Sequence, residues 1–255
     1  MTTPQQTSAP DRTSQEPKQP ETPIDQRWNK RVLWLLMALT FGTGIVDAIG
    51  YLALDHVFIG NMTGNVVILG MAIVGAENLP VLGPLAAMLC FSAGAAITGL
   101  ILKRKPAMWS GTVTLLLLFA GLILISVGLL AFLSQDQPDS TTQLIMSSLA
   151  AAAMGAQAYV ARKLAVREMT TVVVTSTLTA LAGEAFFHRG MKGLLNRRIA
   201  AILAILLGAA MGAFLIKISI GLAMSASGTI IIAVALLGHW AAKNAIKRRR
   251  ALANA

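Results

Sequence analysis

The chain has 255 residues, of which 55% belong to the hydrophobic residue types and only 13% are charged. A typical soluble domain carries about 25% charged residues. Nine of the 32 charged residues lie at positions 1–31, so the rest of the chain carries only 23. That is too few to cover the surface of a soluble globule of this size. The composition therefore predicts an all-α polytopic membrane protein and excludes a soluble domain.

The formal charge of +10 does not indicate a nucleic-acid partner. Its basic residues flank apolar stretches instead of covering one face, which is the charge bias of a membrane protein. The single cysteine, Cys90, lies inside an apolar run and cannot form an internal disulfide. No His/Cys cluster has metal-ligand spacing, so we expect neither a metal nor another cofactor. The expected environment is the lipid bilayer, and a homo-oligomer is left open.

Residues 1–28 form a leader that holds five of the nine prolines and many Gln, Ser and Thr side chains. We expect this leader to be disordered because it lacks the apolar surface that offsets chain entropy. Residues 29–138 and 139–243 are predicted to form two membrane repeats, followed by a basic cytoplasmic tail at 244–255.

Eight apolar stretches follow the leader, and each is long enough for a helix of ~20 residues that crosses a ~30 Å hydrocarbon core. They lie at about 32–54, 57–76, 80–102, 112–133, 142–161, 169–187, 198–216 and 221–242.

The basic residues favour six crossings over eight. Eight crossings place 14 of the 21 basic residues on the cytoplasmic side, whereas 20 lie there if the second and sixth stretches dip in and return. The second stretch contains Gly60, Asn61, Gly64 and Asn65, which are poor residues for a helix interior. We therefore predict six full spans plus two re-entrant or broken helices. The alternative is that the two asparagines make helix–helix hydrogen bonds in a full span.

The two halves of the chain align with each other. When Leu52 is placed on Leu164 and Thr63 on Thr175, stretches one to four fall on stretches five to eight. Three crossings and one dip in each half would bring the second half in from the opposite face, as an inverted repeat. Paired interrupted segments of this kind mark midplane binding sites in transporters.

Asp47 is the most informative single residue, because a carboxylate within an apolar span costs at least ~2.5–3.5 kcal/mol on insertion scales. Asp47 lies about 12 Å below the end of its span at Asp55. A dip from that side would bring Asn61, Thr63 and Asn65 to the same depth, with Gly64 between them. The predicted role is a cation or proton site lined by these polar groups. The alternative is that Asp47 only caps the broken helix or accepts hydrogen bonds from Thr63.

In the second half, Gln157 lies near the position equivalent to Asp47. Thr171, Thr175 and Thr177 of the sixth stretch take the place of the Asn/Thr/Gly motif of the second stretch. These residues complete the predicted solute or ion pathway, which has no catalytic residues. The motifs of serine hydrolases, zinc proteases and P-loop enzymes are absent from the sequence, so we expect no enzyme.

The strings GIVDAIGYL at 44–52 and FIGNMTGN at 58–65 resemble the signature of the YoaK family of bacterial multi-pass membrane proteins. The string MGAQA at 154–158 resembles a later motif of that family. The resemblance implies a protein of the bacterial inner membrane that is often taken for a transporter, and it implies no substrate or catalytic residue.

Together these patterns predict a small-solute transporter or channel-like permease with a polar site near the midplane, and with both termini in the cytoplasm. The alternative is a membrane scaffold or assembly protein that transports nothing, in which the same polar residues only fix helix packing.

Overall fold

The computed structural model describes residues 23–76, 79–164 and 192–253, and the secondary structure in these ranges is helical. Six of the helices are long and apolar enough to cross a membrane, and a seventh is short. The chain is a polytopic membrane protein. In chain order the helices are α1 Pro23–Ala53, α2 Met62–Ile73, α3 Leu82–Leu102, α4 Gly111–Leu133, α5 Ser140–Leu164, α6 Lys192–Ile216 and α7 Ile220–Ala253.

The long helices follow the predicted apolar stretches within a few residues at most ends. The exceptions are α1, which begins at Pro23 inside the predicted leader, and α7, which continues without a break past residue 243. Residues 1–22 of the predicted leader and the sixth stretch at 169–187 lie outside the described residues.

The second stretch does not cross the membrane. Its helix, α2, has 12 residues and is therefore about 18 Å long, well short of a ~30 Å core. Before α2 the chain turns back along α1. This course is shown by Gly60, which lies against Thr43 and Asp47 in the middle of that helix. After α2, Gly83 at the start of α3 lies against Val57, whose N–H bonds to the Gly50 carbonyl near the end of α1. The second stretch thus enters and leaves at the same end of α1, as a re-entrant segment.

When the two halves of the chain are aligned, each large helix–helix contact corresponds to a large contact in the same bundle. Helix α1 packs on α6, and α3 packs on α5; α1 also packs on α7, and α5 on α4. The remaining large interface joins α4 to α7, which the alignment maps onto each other. This is the pairing that a two-fold related repeat requires, although the boundaries of the two repeats remain a prediction.

Glycines bring the paired backbones into direct contact. A Cβ added to Gly208 of α6 would lie 2.1 Å from the carbonyl oxygen of Phe41 on α1. A Cβ added to Gly94 of α3 would lie 2.0 Å from the carbonyl oxygen of Ala152 on α5. In lipid no hydrophobic force draws helices together, so such close packing supplies much of the association.

The α4–α7 interface is built from two reciprocal glycine pairs. A Cβ on Gly121 would lie 2.8 Å from the Gly228 carbonyl oxygen, and one on Gly228 would lie 2.7 Å from that of Gly121. Gly128 and Gly221 face each other in the same way, at 2.7 and 2.6 Å. The pairing runs in opposite directions along the two helices, so α4 and α7 are antiparallel.

The turn after α4 fixes the start of α7. Asp136 has a left-handed backbone with φ 56°, and its Oδ1 accepts a hydrogen bond from the Gly221 N–H at 2.9 Å. Asp139 precedes α5, and the Thr142 hydroxyl that donates to its carboxylate lowers the pKa of Asp139. These acidic residues cap helix N-termini, where negative charge is favourable.

Glycine-to-alanine substitutions should distinguish the effect of helix packing on stability from the effect of helix propensity. We expect Gly228→Ala to destabilise the protein by about 1–3 kcal/mol, because the new Cβ meets the Gly121 backbone, which cannot give way as a side chain would. Gly70→Ala in α2 is the matched control, since no atom lies within 4 Å of its added Cβ. It should be neutral or stabilise by up to about 1 kcal/mol. Thermal unfolding in detergent measures both, and equal melting temperatures for the two variants would contradict this interface.

Candidate functional site

The break before α2 is set by glycine and asparagine. Gly50 lets the chain pack directly on α1, since an added Cβ would lie 2.2 Å from the Val57 carbonyl oxygen. Gly60 does the same farther down the helix, where its Cβ would lie 2.6 Å from Thr43 Cγ2. Residues 54–61, which we call the re-entrant loop, therefore contact the backbone near the end of α1 and the side chains of Thr43 and Asp47 in its middle.

Asp47 holds the tip of the re-entrant loop. Its Oδ1 accepts hydrogen bonds from the backbone N–H groups of Ile59, Gly60 and Asn61 at 2.9, 2.6 and 3.3 Å. Its Oδ2 accepts a hydrogen bond from the Asn61 side-chain amide. The carboxylate is buried, and the partners that the described residues give it are all neutral. Asp47 thus satisfies three backbone donors that would otherwise be orphaned at membrane depth.

Asn65 fixes the loop at a second point. Its Oδ1 accepts from the Phe58 N–H at 2.8 Å, and its Nδ2 donates to the Phe58 carbonyl at 2.6 Å. Gly64 lies under the Phe58 ring, where an added Cβ would be 2.4 Å from Cδ2. Asn65 and Gly64 therefore shape the loop through Phe58, whereas Asn61 alone of the three reaches Asp47.

The interpretation of Asn61 and Asn65 as links between helices of a full span is wrong. Both bind within the re-entrant segment and α1, because the second stretch turns back before crossing. Thr63 lies exposed in the first turn of α2, and its hydroxyl makes no hydrogen bond with the described residues. Thr171, Thr175 and Thr177 lie outside the described residues.

Gln157 of α5 adds a polar contact to α1 one helical turn from Asp47. Its side chain is 4% exposed, and its Nε2 lies 3.4 Å from the hydroxyl of Thr43, one helical turn before Asp47. That hydroxyl donates its only proton to the Leu39 carbonyl, so it can only accept from Gln157. The amide nitrogen must therefore face Thr43. The amide oxygen, Oε1, is buried and has no hydrogen-bond partner among the described residues.

The sequence identified both ends of this cluster but not its middle. The hydroxyl of Thr43 accepts a hydrogen bond from the Gln157 amide, and its methyl group lies against Gly60. The sequence analysis did not select this residue. The signal that was available is its spacing of four residues from Asp47, which places both side chains on one face of a helix. We call Thr43, Asp47, Asn61 and Gln157 the polar cluster.

Comparisons with known proteins show the family of the chain. A family model described as "Protein of unknown function (DUF1275)" matches residues 35–238. The chain belongs to this family. The DUF1275 match includes the whole polar cluster, the re-entrant loop and α2 to α5.

Among curated proteins, the DUF1275 chain is similar to the UPF0700 transmembrane protein YoaK of Bacillus subtilis (strain 168). The two are 36% identical over 178 residues, which cover 68% of this chain and 77% of that protein. The resemblance to the YoaK family is thereby confirmed. No solved structure matches the chain.

Removing the Asp47 carboxylate should release the re-entrant loop. In Asp47→Ala three backbone N–H groups lose their acceptor, which should destabilise the protein by at least about 3 kcal/mol at 1–3 kcal/mol for each orphaned group. Asp47→Asn keeps one oxygen but turns an NH₂ group toward the Asn61 amide, so we expect roughly half that loss.

Asp139→Asn is the matched control, because Asp139 is exposed and asparagine also caps helices well. Its melting temperature should remain within about 1 °C of the original, since a preserved cap changes stability by only a few tenths of a kcal/mol. Limited proteolysis of residues 54–61 gives a second readout. An Asp47→Ala protein that melts and resists proteolysis like the original would show that Asp47 does not hold the loop.

Proposed function

We propose that this DUF1275 protein is a non-enzymatic, channel-like permease for a small solute or ion, with the polar cluster near the middle of its pathway. The observation that carries the proposal is the re-entrant loop, whose tip is bound to Asp47 inside the helical bundle. Non-helical backbone at membrane depth is tolerated only where protein or a water-filled cavity surrounds it. Transporters form solute sites from such interrupted segments.

Gln157 supports a pathway beside the loop. A buried amide oxygen without a hydrogen-bond partner lowers the stability of a helical bundle, and a purely structural protein gains nothing from it. It is retained at low cost where a passing solute or water supplies the missing donor. Asp47 acts in this proposal as a positioning residue that sets the height of the loop, in addition to giving the pathway its negative charge.

A membrane scaffold is the second candidate. It is favoured by the hydrogen bonds of Asp47, which all remain within this chain and would stabilise a protein that transports nothing. The two candidates differ in flux, which a scaffold lacks.

We propose the bacterial inner membrane as the location, with both termini in the cytoplasm. The positive-inside bias supports this orientation, since it leaves one basic residue, Lys217, on the outer side. Single cysteines at Lys105 and Ser134 in a Cys90→Ala background test it with a membrane-impermeant thiol reagent. We expect Ser134→Cys to react in intact cells and Lys105→Cys to react only after the membrane is opened. The reverse pattern would contradict the orientation.

Flux through purified protein in liposomes tests the function itself. Urea and glycerol are followed by light scattering, and sodium and methylammonium by radiotracer uptake. We expect at least one of these to enter faster than into empty liposomes, and Gln157→Leu to slow it about tenfold, the effect of losing ~1.4 kcal/mol of interaction. Gly70→Ala should leave the rate unchanged.

The result that overturns the permease is a well-folded, correctly inserted protein that passes none of the four probes faster than empty liposomes. Equal rates for Gln157→Leu and the original protein would remove the polar cluster from the pathway.

A further inference from the structure

We propose that the polar cluster binds a small monovalent cation, held by the amide oxygen of Gln157 and the carboxylate of Asp47. This inference names the ligand class of the proposed permease and rests on that function for its biological meaning, although binding itself can be measured without transport.

One buried polar atom of the polar cluster has no hydrogen-bond partner among the described residues, and that atom is an acceptor. The Thr43 hydroxyl proton is used by Leu39, and the Asn61 amide donates to Asp47. The Gln157 amide is oriented toward Thr43, so the group left over is its Oε1 acceptor. The second Asp47 oxygen receives one hydrogen bond and has a lone pair to spare. A cluster with acceptors to spare selects a ligand that is positive or carries donors.

The charge of the cluster points the same way. Within the described spans, Asp47 is the sole acidic residue, and its partners there are neutral groups. The basic residue nearest to Gln157 along α5 is Arg162, near the end of the helix, and the ammonium of the next residue, Lys163, donates to the Leu102 carbonyl at the end of α3. Because a buried carboxylate favours a partner of opposite charge, a bound cation completes the cluster.

The ligand types indicate which cation this is. Carboxylate and amide oxygens are hard ligands, which suit alkali metal ions or a protonated amine rather than transition metals. The described residues hold no group of three or more His, Cys, Asp and Glu side chains that could bind a transition metal. One carboxylate balances a single positive charge, whereas calcium sites gather six to eight oxygen ligands, usually including several carboxylates. The cluster therefore fits a monovalent ion.

Thermal unfolding of the purified full chain in detergent tests this inference. The protein is measured in sodium, potassium, methylammonium or choline chloride at equal ionic strength and pH 7.5. We expect one of the three small cations to raise the melting temperature by about 3 °C or more over choline, the reference cation, because a ligand that binds only the folded state stabilises it. Sodium or potassium as the effective ion identifies a metal-ion site, and methylammonium identifies an amine site.

Two substitutions of the orphaned amide make the test specific. Gln157→Leu should abolish the cation effect without lowering the melting temperature in choline, because removing a buried acceptor that has no partner offsets the loss of the 3.4 Å hydrogen bond to Thr43. Gln157→Glu adds a second carboxylate and should lower the cation concentration for half-maximal effect about tenfold. Gly70→Ala, in α2, should respond as the original protein does.

Different results would contradict the proposed cation site and the proposed permease. Equal melting temperatures in all four salts, or an unchanged cation effect in Gln157→Leu, overturns the cation site even if solutes pass through the protein. A cation effect that Gln157→Leu abolishes supports the site even where liposome flux is absent, and in that case the permease is overturned and the site is left intact.

Discussion

The fold depends on one interaction, the capture of three backbone N–H groups by the carboxylate of Asp47. A chain that turns inside a membrane exposes backbone groups that no water can satisfy. Asp47 resolves this locally, because a single charged oxygen accepts from Ile59, Gly60 and Asn61 together. The interaction also reduces the cost of the charge itself, since the carboxylate exchanges water for oriented dipoles. The same hydrogen bonds thus lower the energetic cost of the loop backbone and of the carboxylate at this depth.

Glycine determines where that interaction can form. Gly50 lets the loop touch the α1 backbone and Gly60 lets it touch the side chains of Thr43 and Asp47, while Gly208 brings α6 against the same helix at Phe41. The reciprocal glycines of α4 and α7 hold the other side of the bundle. The contact between α1 and α5 is polar instead, since the Gln157 amide donates to the Thr43 hydroxyl. The polar cluster therefore lies where a glycine-packed loop on α1 meets a side chain of α5.

Much of this architecture could be predicted from the sequence. Apolar length located the spans, the basic residues favoured six crossings, and Gly60 with Asn61 located the break. The partner of each polar group could not be predicted, because Asn61 and Asn65 look equivalent in the sequence. Only the fold shows that Asn61 turns to Asp47 and Asn65 to Phe58. Thr43 was missed because a threonine in an apolar helix commonly bonds to its own backbone, as this one also does.

Hydrogen–deuterium exchange, resolved to single residues by mass spectrometry, tests the central claim most directly. In the purified protein we predict that the amides of Ile59, Gly60 and Asn61 exchange at least about 100-fold more slowly than those of Arg104 and Ala107 in the exposed loop at 103–108, and that Asp47→Ala removes this protection. Amides at 59–61 that exchange as fast as those of the exposed loop, or that stay protected without the carboxylate, would contradict the account.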